Sequence, residues 1–120
     1  MVCPDLTYDE NIFIDDGTGV HLFSAIADNT LLLSAQIGHH CRVGSQVLLT
    51  ACSLAGNLQG GDNSFIAISA AVQQNTAIGK GSILGMGSII VSSTADGSVY
   101  TEPPATKPRV SSADVKQMDL

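Results

Sequence analysis

The chain has 120 residues, 44% of them hydrophobic, with no Trp, 4% aromatic residues and 12 Gly. That length suits one domain, and so few large rings argue against an ordinary globular core and for narrow, stacked coils that admit small or branched side chains. A formal charge of −6 and a pI near 4.6 exclude a surface of clustered Lys and Arg built for phosphates, so nucleic acid is not an expected partner.

Membrane insertion is not expected, because no stretch approaches the apolar length that spans a bilayer. The opening MVCPDLTYDEN lacks the basic and apolar regions of a signal peptide, which implies a cytoplasmic address. Cys3, Cys41 and Cys52 are odd in number and fit no zinc or redox spacing, so they read as free or buried thiols in a reducing compartment.

In chain order, residues 1–18 show no clear period and are expected to form an N-terminal strand or loop that caps the first coil. Residues 19–91 carry a period of six. Leu31, Ile37, Val43 and Leu49 keep one phase, then the step from Leu49 to Leu54 is five. One residue is therefore missing, and a turn near Ala51 to Ser53 must tighten, since a slip inside a strand would reverse the facing of its side chains. Gly60 stands where an aliphatic is expected. From Ile66 the regular phase runs through Val72, Ile78, Leu84 and Ile90, with the small residues Ala70, Thr76, Ser82 and Ser88 following at a fixed offset.

This register predicts an all-β fold, a left-handed parallel β-helix of hexapeptide repeats, in which three short strands make a triangular coil of about eighteen residues. Residues 92–120 form a C-terminal loop and tail, turn-rich and carrying three prolines that cannot continue a sheet interior. The final SSADVKQMDL reads either as a short helix capped at Ser112 or as a fraying end.

With that register in place, IGHHCRVGSQVLLTACSLAGNLQGGDNSFIAISAAV followed by IGKGSILGMGSII resembles the hexapeptide-repeat acyltransferases, nearest to their sugar O- and N-acetyltransferase branch. The resemblance covers roughly residues 19–110. It implies an acetyl-CoA-dependent transferase acting on a hydroxyl or amine of a sugar or sugar nucleotide, assembled as a homotrimer with coenzyme A between neighbouring subunits. His39 would match the family's general base, a task suited to imidazole with its ordinary pKa of about 6.5. Gly56 would match the glycine whose backbone N–H faces the thioester carbonyl. The family usually places an acidic residue directly after the histidine, where this chain has His40.

The same resemblance puts the nucleotide end of coenzyme A near the C-terminal coils. Lys80, Lys107 and Arg109, together with Lys116, concentrate there, as phosphate recognition requires. Pro104, Ala105 and Lys107 resemble the family's terminal Pro-Ala-Lys segment, with Thr106 inserted. His21 precedes His39 by eighteen residues and is expected either to stack on it or to sit idle at the surface. Many relatives carry an N-terminal nucleotide-sugar-binding domain that nothing here matches, which leaves a smaller sugar, an amine or an interfacial substrate as acceptors.

Each of these residues also has a plainer reading: an exposed coil histidine, a corner glycine, solvated surface charge. Two other functions compete accordingly. One is a non-catalytic trimeric scaffold or ligand-binding module. The other is a zinc enzyme of the γ-carbonic-anhydrase type, for which adjacent His39 and His40 give the wrong spacing, so no metal is expected.

Overall fold

A computed structural model describes residues 7–114. Cys3, Lys116, the start of the N-terminal cap and the end of the tail lie outside the described residues. The fold is the expected all-β left-handed β-helix, a parallel solenoid of about five turns. Three parallel sheets form the faces of a triangular prism. The first face stacks Thr7–Tyr8, Ala25–Ile26, Arg42–Val43, Gln59–Gly60 and Ala77–Ile78. The second stacks Phe13–Ile14, Leu31–Leu33, Leu48–Thr50, Phe65–Ile66, Ile83–Leu84 and Val99–Tyr100. The third stacks Gly19–Val20, Gln36–Ile37, Ser53–Leu54, Ala71–Val72 and Ile89–Ile90.

The second residue of almost every strand points inward, and the aliphatics there, from Val20 to Ile90, make up most of the core. Each such side chain contributes roughly 1.5–3 kcal/mol on burial. Two residues before each comes a small buried corner residue: Thr18, Ser24, Thr30, Ala35, Cys41 and so on to Ser88. Their hydroxyls are satisfied across coils, as when Ser24 Oγ donates to Gly38 O at 2.8 Å and Thr30 Oγ1 to Gly44 O at 2.9 Å. Among the described residues, no buried side-chain nitrogen or oxygen is left without a partner.

Two features of the register differ from the sequence reading. The chain loses a residue twice, not once: the inward series runs Ile26, Leu32, Ile37, Val43, Leu49, Leu54, so a second step of five separates Leu32 from Ile37. Leu32 is fully buried while Leu31, assigned inward by phase alone, is 36% exposed. Three consecutive leucines hide the phase, and the strand Leu31–Leu33 turns directly into left-handed Ser34, just as Leu48–Thr50 turns into left-handed Ala51. The longer corner of the next coil inserts Ile68 before its left-handed Ser69. Asp15 bridges the change of corner length. Its carboxylate accepts from Ser34 N–H at 2.8 Å and Thr18 Oγ1 at 2.7 Å, contacts that hold it below the usual aspartate range.

The rungs also continue on both sides of residues 19–91, because Thr7–Tyr8 and Phe13–Ile14 pair with the strands of the next coil and Val99–Tyr100 pairs with Ile83–Leu84. Gly60 is compensated by its neighbour. Leu58 is buried at a corner position that elsewhere holds Ser, Thr, Cys, Ala or Val, supplying apolar volume two residues before the glycine.

On the first face, the segment after Val91 replaces backbone acceptors with side chains. Ala77 N–H donates to Ser93 Oγ, Gly79 N–H to Thr94 Oγ1 and Lys80 N–H to Asp96 Oδ1, at 3.0, 3.0 and 2.8 Å. Residues 101–110 are exposed and irregular, and the tail contributes one turn of 3₁₀ helix, Ser112–Asp114, whose Asp114 accepts from Ser111 rather than from Ser112.

A non-glycine residue held at φ 42° costs about 1 kcal/mol that glycine does not. Ala51→Gly should therefore raise unfolding stability by about 1 kcal/mol in denaturant titration.

Candidate functional site

The corner between the third and first faces holds the residues of interest. At each coil a left-handed residue turns the chain here: Phe23, His40, Asn57 and Asn75, with φ of 60°, 55°, 58° and 60°. The N–H of each of the last three donates to the coil before, His40 to Leu22 O at 2.9 Å, Asn57 to His39 O at 2.8 Å and Asn75 to Gly56 O at 3.1 Å. Two columns result. Leu22, His39, Gly56 and Gln74 stack in one, and Phe23, His40, Asn57 and Asn75 in the other. Asn57 and Asn75 extend the second as a side-chain ladder, with Nδ2 donating to Oδ1 at 2.7 Å.

The lost residues now acquire a consequence. The shortened corner at Ala51 makes the turn from His39 to Gly56 seventeen residues, as the one at Ser34 does for the turn from Leu22 to His39. The structure thus brings His39 and Gly56 together. A Cβ at Gly56 would lie 2.6 Å from His39 Nε2 and 2.7 Å from Cε1, so the imidazole lies over this position only because the residue is glycine. The backbone N–H of Gly56 has no hydrogen-bond acceptor among the described residues, a property it shares with Leu22 and His39 at the same corner position. His21 does not stack on His39. With a seventeen-residue coil it aligns with Gly38, and Leu22 takes the place beneath the imidazole.

His39 and His40 share a contact of 3.0 Å between their Nδ1 atoms, with rings at 86°. Phe23 covers His40 with ring centroids 5.1 Å apart and planes tilted by 30°. Beneath this corner, Cys41 Sγ lies 3.1 Å from Ala55 O, a thiol in the slot that hydroxyls fill in other coils. Burial pushes the Cys41 thiol up and pushes Cys52 up to about 11. Among the described residues, no three His, Cys, Asp or Glu side chains converge to hold a metal ion.

The basic residues are dispersed. Lys80 lies at the corner between the first and second faces, in a column otherwise made of Glu10, Asp28, Ser45, Asp62 and Asp96. It lines a shallow groove of about 390 Å³ with Gly60, Gly61, Ala77, Gly79 and Asp96. Lys107 and Arg109 lie in the exposed segment 101–110, and no described hydrogen bond joins either to Lys80 or to His39. Sequence reasoning passed over Arg42. It is outward on the first face, three residues beyond His39, beside Ala25 and Ala27 in a second, smaller groove. The parity of its strand, with Val43 inward, is the signal that places it there.

No family profile matches the chain. The acyl-[acyl-carrier-protein]–UDP-N-acetylglucosamine O-acyltransferase of Burkholderia mallei (strain SAVP1) is 38% identical over 65 residues, which make up 53% of this chain and 25% of that protein. PerB from Caulobacter crescentus, solved with CoA and GDP-perosamine, superposes with a TM-score of 0.80 at 28% identity, over 82% of this chain and 48% of that one. The acetyltransferase domain of PglB from Neisseria gonorrhoeae FA1090 gives 0.69 at 26% identity, over 82% and 52%. The same domain has also been solved with acetyl coenzyme A. The chain thus spans about half the length of these solved chains and matches a quarter of the curated relative. Its homologues are acyltransferases of the hexapeptide-repeat type. More particularly, its structural neighbours are sugar acetyltransferases.

Buried, undissociated thiols are inert to alkylation. In a Cys3→Ser background, Cys41 and Cys52 should resist iodoacetamide at pH 8 in the native protein and react once denaturant exposes them, as counted by intact mass.

Proposed function

We propose that this protein transfers an acyl group, with acetyl-CoA as donor, to a hydroxyl or amine of a sugar or sugar nucleotide, and that His39 is the general base. The observation that carries this reading is the placement of His39 Nε2 over Gly56. It puts a proton acceptor over the same residue whose backbone N–H has no described hydrogen-bond acceptor. The kinship with acyltransferases, and the CoA and GDP-perosamine bound by the Caulobacter protein, support the same chemistry.

Acetyl-CoA supplies an activated thioester carbonyl. His39 Nε2 takes the proton of the acceptor as its nitrogen or oxygen attacks and delivers it to the departing thiol sulfur, while the Gly56 N–H meets the negative charge on the carbonyl oxygen. A thin acyl-carrying arm suits the first face, whose outward positions include Ala25, Ala27, Gly61, Ala77 and Gly79. Lys80 at the far edge of that face, with Lys107 and Arg109 from the exposed segment, then offers cations to the phosphates. The buried, unpaired thiols of Cys41 and Cys52 suit a reducing, cytoplasmic setting.

The homotrimer is part of the proposal and is supported by the second face. Phe13, Leu31, Leu48, Phe65, Ile83 and Val99 pair in register along its outer surface, flanked by exposed Ile68 and Met86. A continuous apolar strip of this kind is costly in water and fits burial against further copies of the chain.

Thiol release from acetyl-CoA in the presence of GDP-perosamine or another amino-sugar nucleotide tests the activity. His39→Ala should lower kcat by about 10²–10⁴-fold, and Gly56→Ala, which drives a methyl into the imidazole, should be comparably damaging. Transfer that survives His39→Ala removes the base assignment, and no turnover of any acceptor favours the scaffold reading. Light scattering should give three times the 12.4 kDa chain mass for the wild type and a single chain for Phe65→Glu.

A further inference from the structure

The two adjacent histidines are related in a way that extended backbone forbids. Along a strand, neighbouring side chains point to opposite faces. His40 has left-handed backbone, and this turn swings its ring back so that the two Nδ1 atoms meet at 3.0 Å. Between two neutral imidazoles such a contact needs one proton: one Nδ1 carries hydrogen and the other offers its lone pair.

Both rings are exposed, so the role of His39 decides which. A base acting at Nε2, the atom that lies 2.6 Å from where a Cβ of Gly56 would stand, needs that atom bare, which leaves its hydrogen on Nδ1; the His40 Nε2–H then donates to water. We infer that His40 is the positioning residue of this site, accepting the Nδ1–H of His39 and so holding His39 with its Nε2 free of hydrogen. The inference rests on His39 being the base.

The rest of the corner fits this role. Phe23 also has left-handed backbone, a conformation uncommon for a bulky side chain, and its ring lies on His40 where the same column carries asparagine two coils further on. Asparagine would suit that backbone better; phenylalanine adds a flat surface that limits rotation of the imidazole. Among the described residues, no carboxylate hydrogen-bonds to His39. The coils packed on either side present Leu22, Phe23, Gly56 and Asn57; His21 aligns with Gly38, and the Cys41 thiol is turned to backbone carbonyls. The proton path is therefore short: the acceptor's proton goes to His39 Nε2, the charge is shared across the Nδ1 contact with His40, and the proton returns from Nε2 to the leaving sulfur.

Nitrogen-15 NMR of histidine-labelled protein at pH 8 reads the tautomers directly and needs no substrate. Wild-type His39 should show hydrogen on Nδ1 and none on Nε2. His40→Gly, which suits the left-handed backbone but removes the acceptor, should return His39 mainly to the Nε2–H form, and His40→Asp should restore Nδ1–H. With acetyl-CoA and GDP-perosamine as probes, kcat should fall about ten- to a hundredfold in His40→Gly, recover in His40→Asp, and leave KM for acetyl-CoA unchanged. Phe23→Asn should keep or raise the melting temperature while lowering kcat. An Nε2–H tautomer of His39 in the wild type, or one that ignores His40→Gly, overturns the inference whatever the rates. A correct tautomer with transfer surviving His39→Ala instead overturns the base assignment and leaves the proton arrangement standing.

Discussion

At most corners of the solenoid one residue adopts a left-handed backbone and donates its N–H to a carbonyl of the coil before. This donation fixes which residue lies over which, because it repeats once per turn and tolerates no drift in register. Interior packing, corner hydroxyls and the outward columns all inherit that alignment. Coil circumference therefore acts as a functional quantity, since it selects the pairs of residues that become neighbours.

Much of the architecture was legible because the period of six is an interior constraint: Ile66, Val72, Ile78, Leu84 and Ile90 had to be branched or long aliphatics to fill a narrow prism. The reading failed where several residues satisfied the interior equally well. Leu31, Leu32 and Leu33 are indistinguishable by hydrophobicity, so the second shortened corner was invisible, and with it the turn that places Leu22 rather than His21 beneath His39. The first strands, expected only as a strand or loop, lack the period for a related reason. Tyr8 pairs with inward Ile26 yet is exposed, and Phe13 lies on the outside, so no aliphatic beat marks them.

The candidate site was legible in its members but not in its arrangement. A glycine seventeen residues from a histidine says nothing until the turn length is known; then its lack of a side chain becomes the space the imidazole occupies. The Nδ1 contact was unreadable in principle, because adjacent residues meet only at a left-handed corner. His40 looked like the loss of a negative charge. In the arrangement inferred above it is an acceptor, one that orients the neighbouring ring as a carboxylate does but brings no negative charge to the imidazolium.

The closing segment of the first face bears on a different hazard. A parallel sheet that simply stops presents a row of unpaired amides and carbonyls, and a second solenoid can add to such an edge as the next coil would. Here the amides of Ala77, Gly79 and Lys80 are already occupied by the short side chains of Ser93, Thr94 and Asp96. Those side chains do not carry a carbonyl on to a further rung. On this face the repeat is terminated chemically rather than by running out of sequence, which guards against end-to-end polymerisation into fibres.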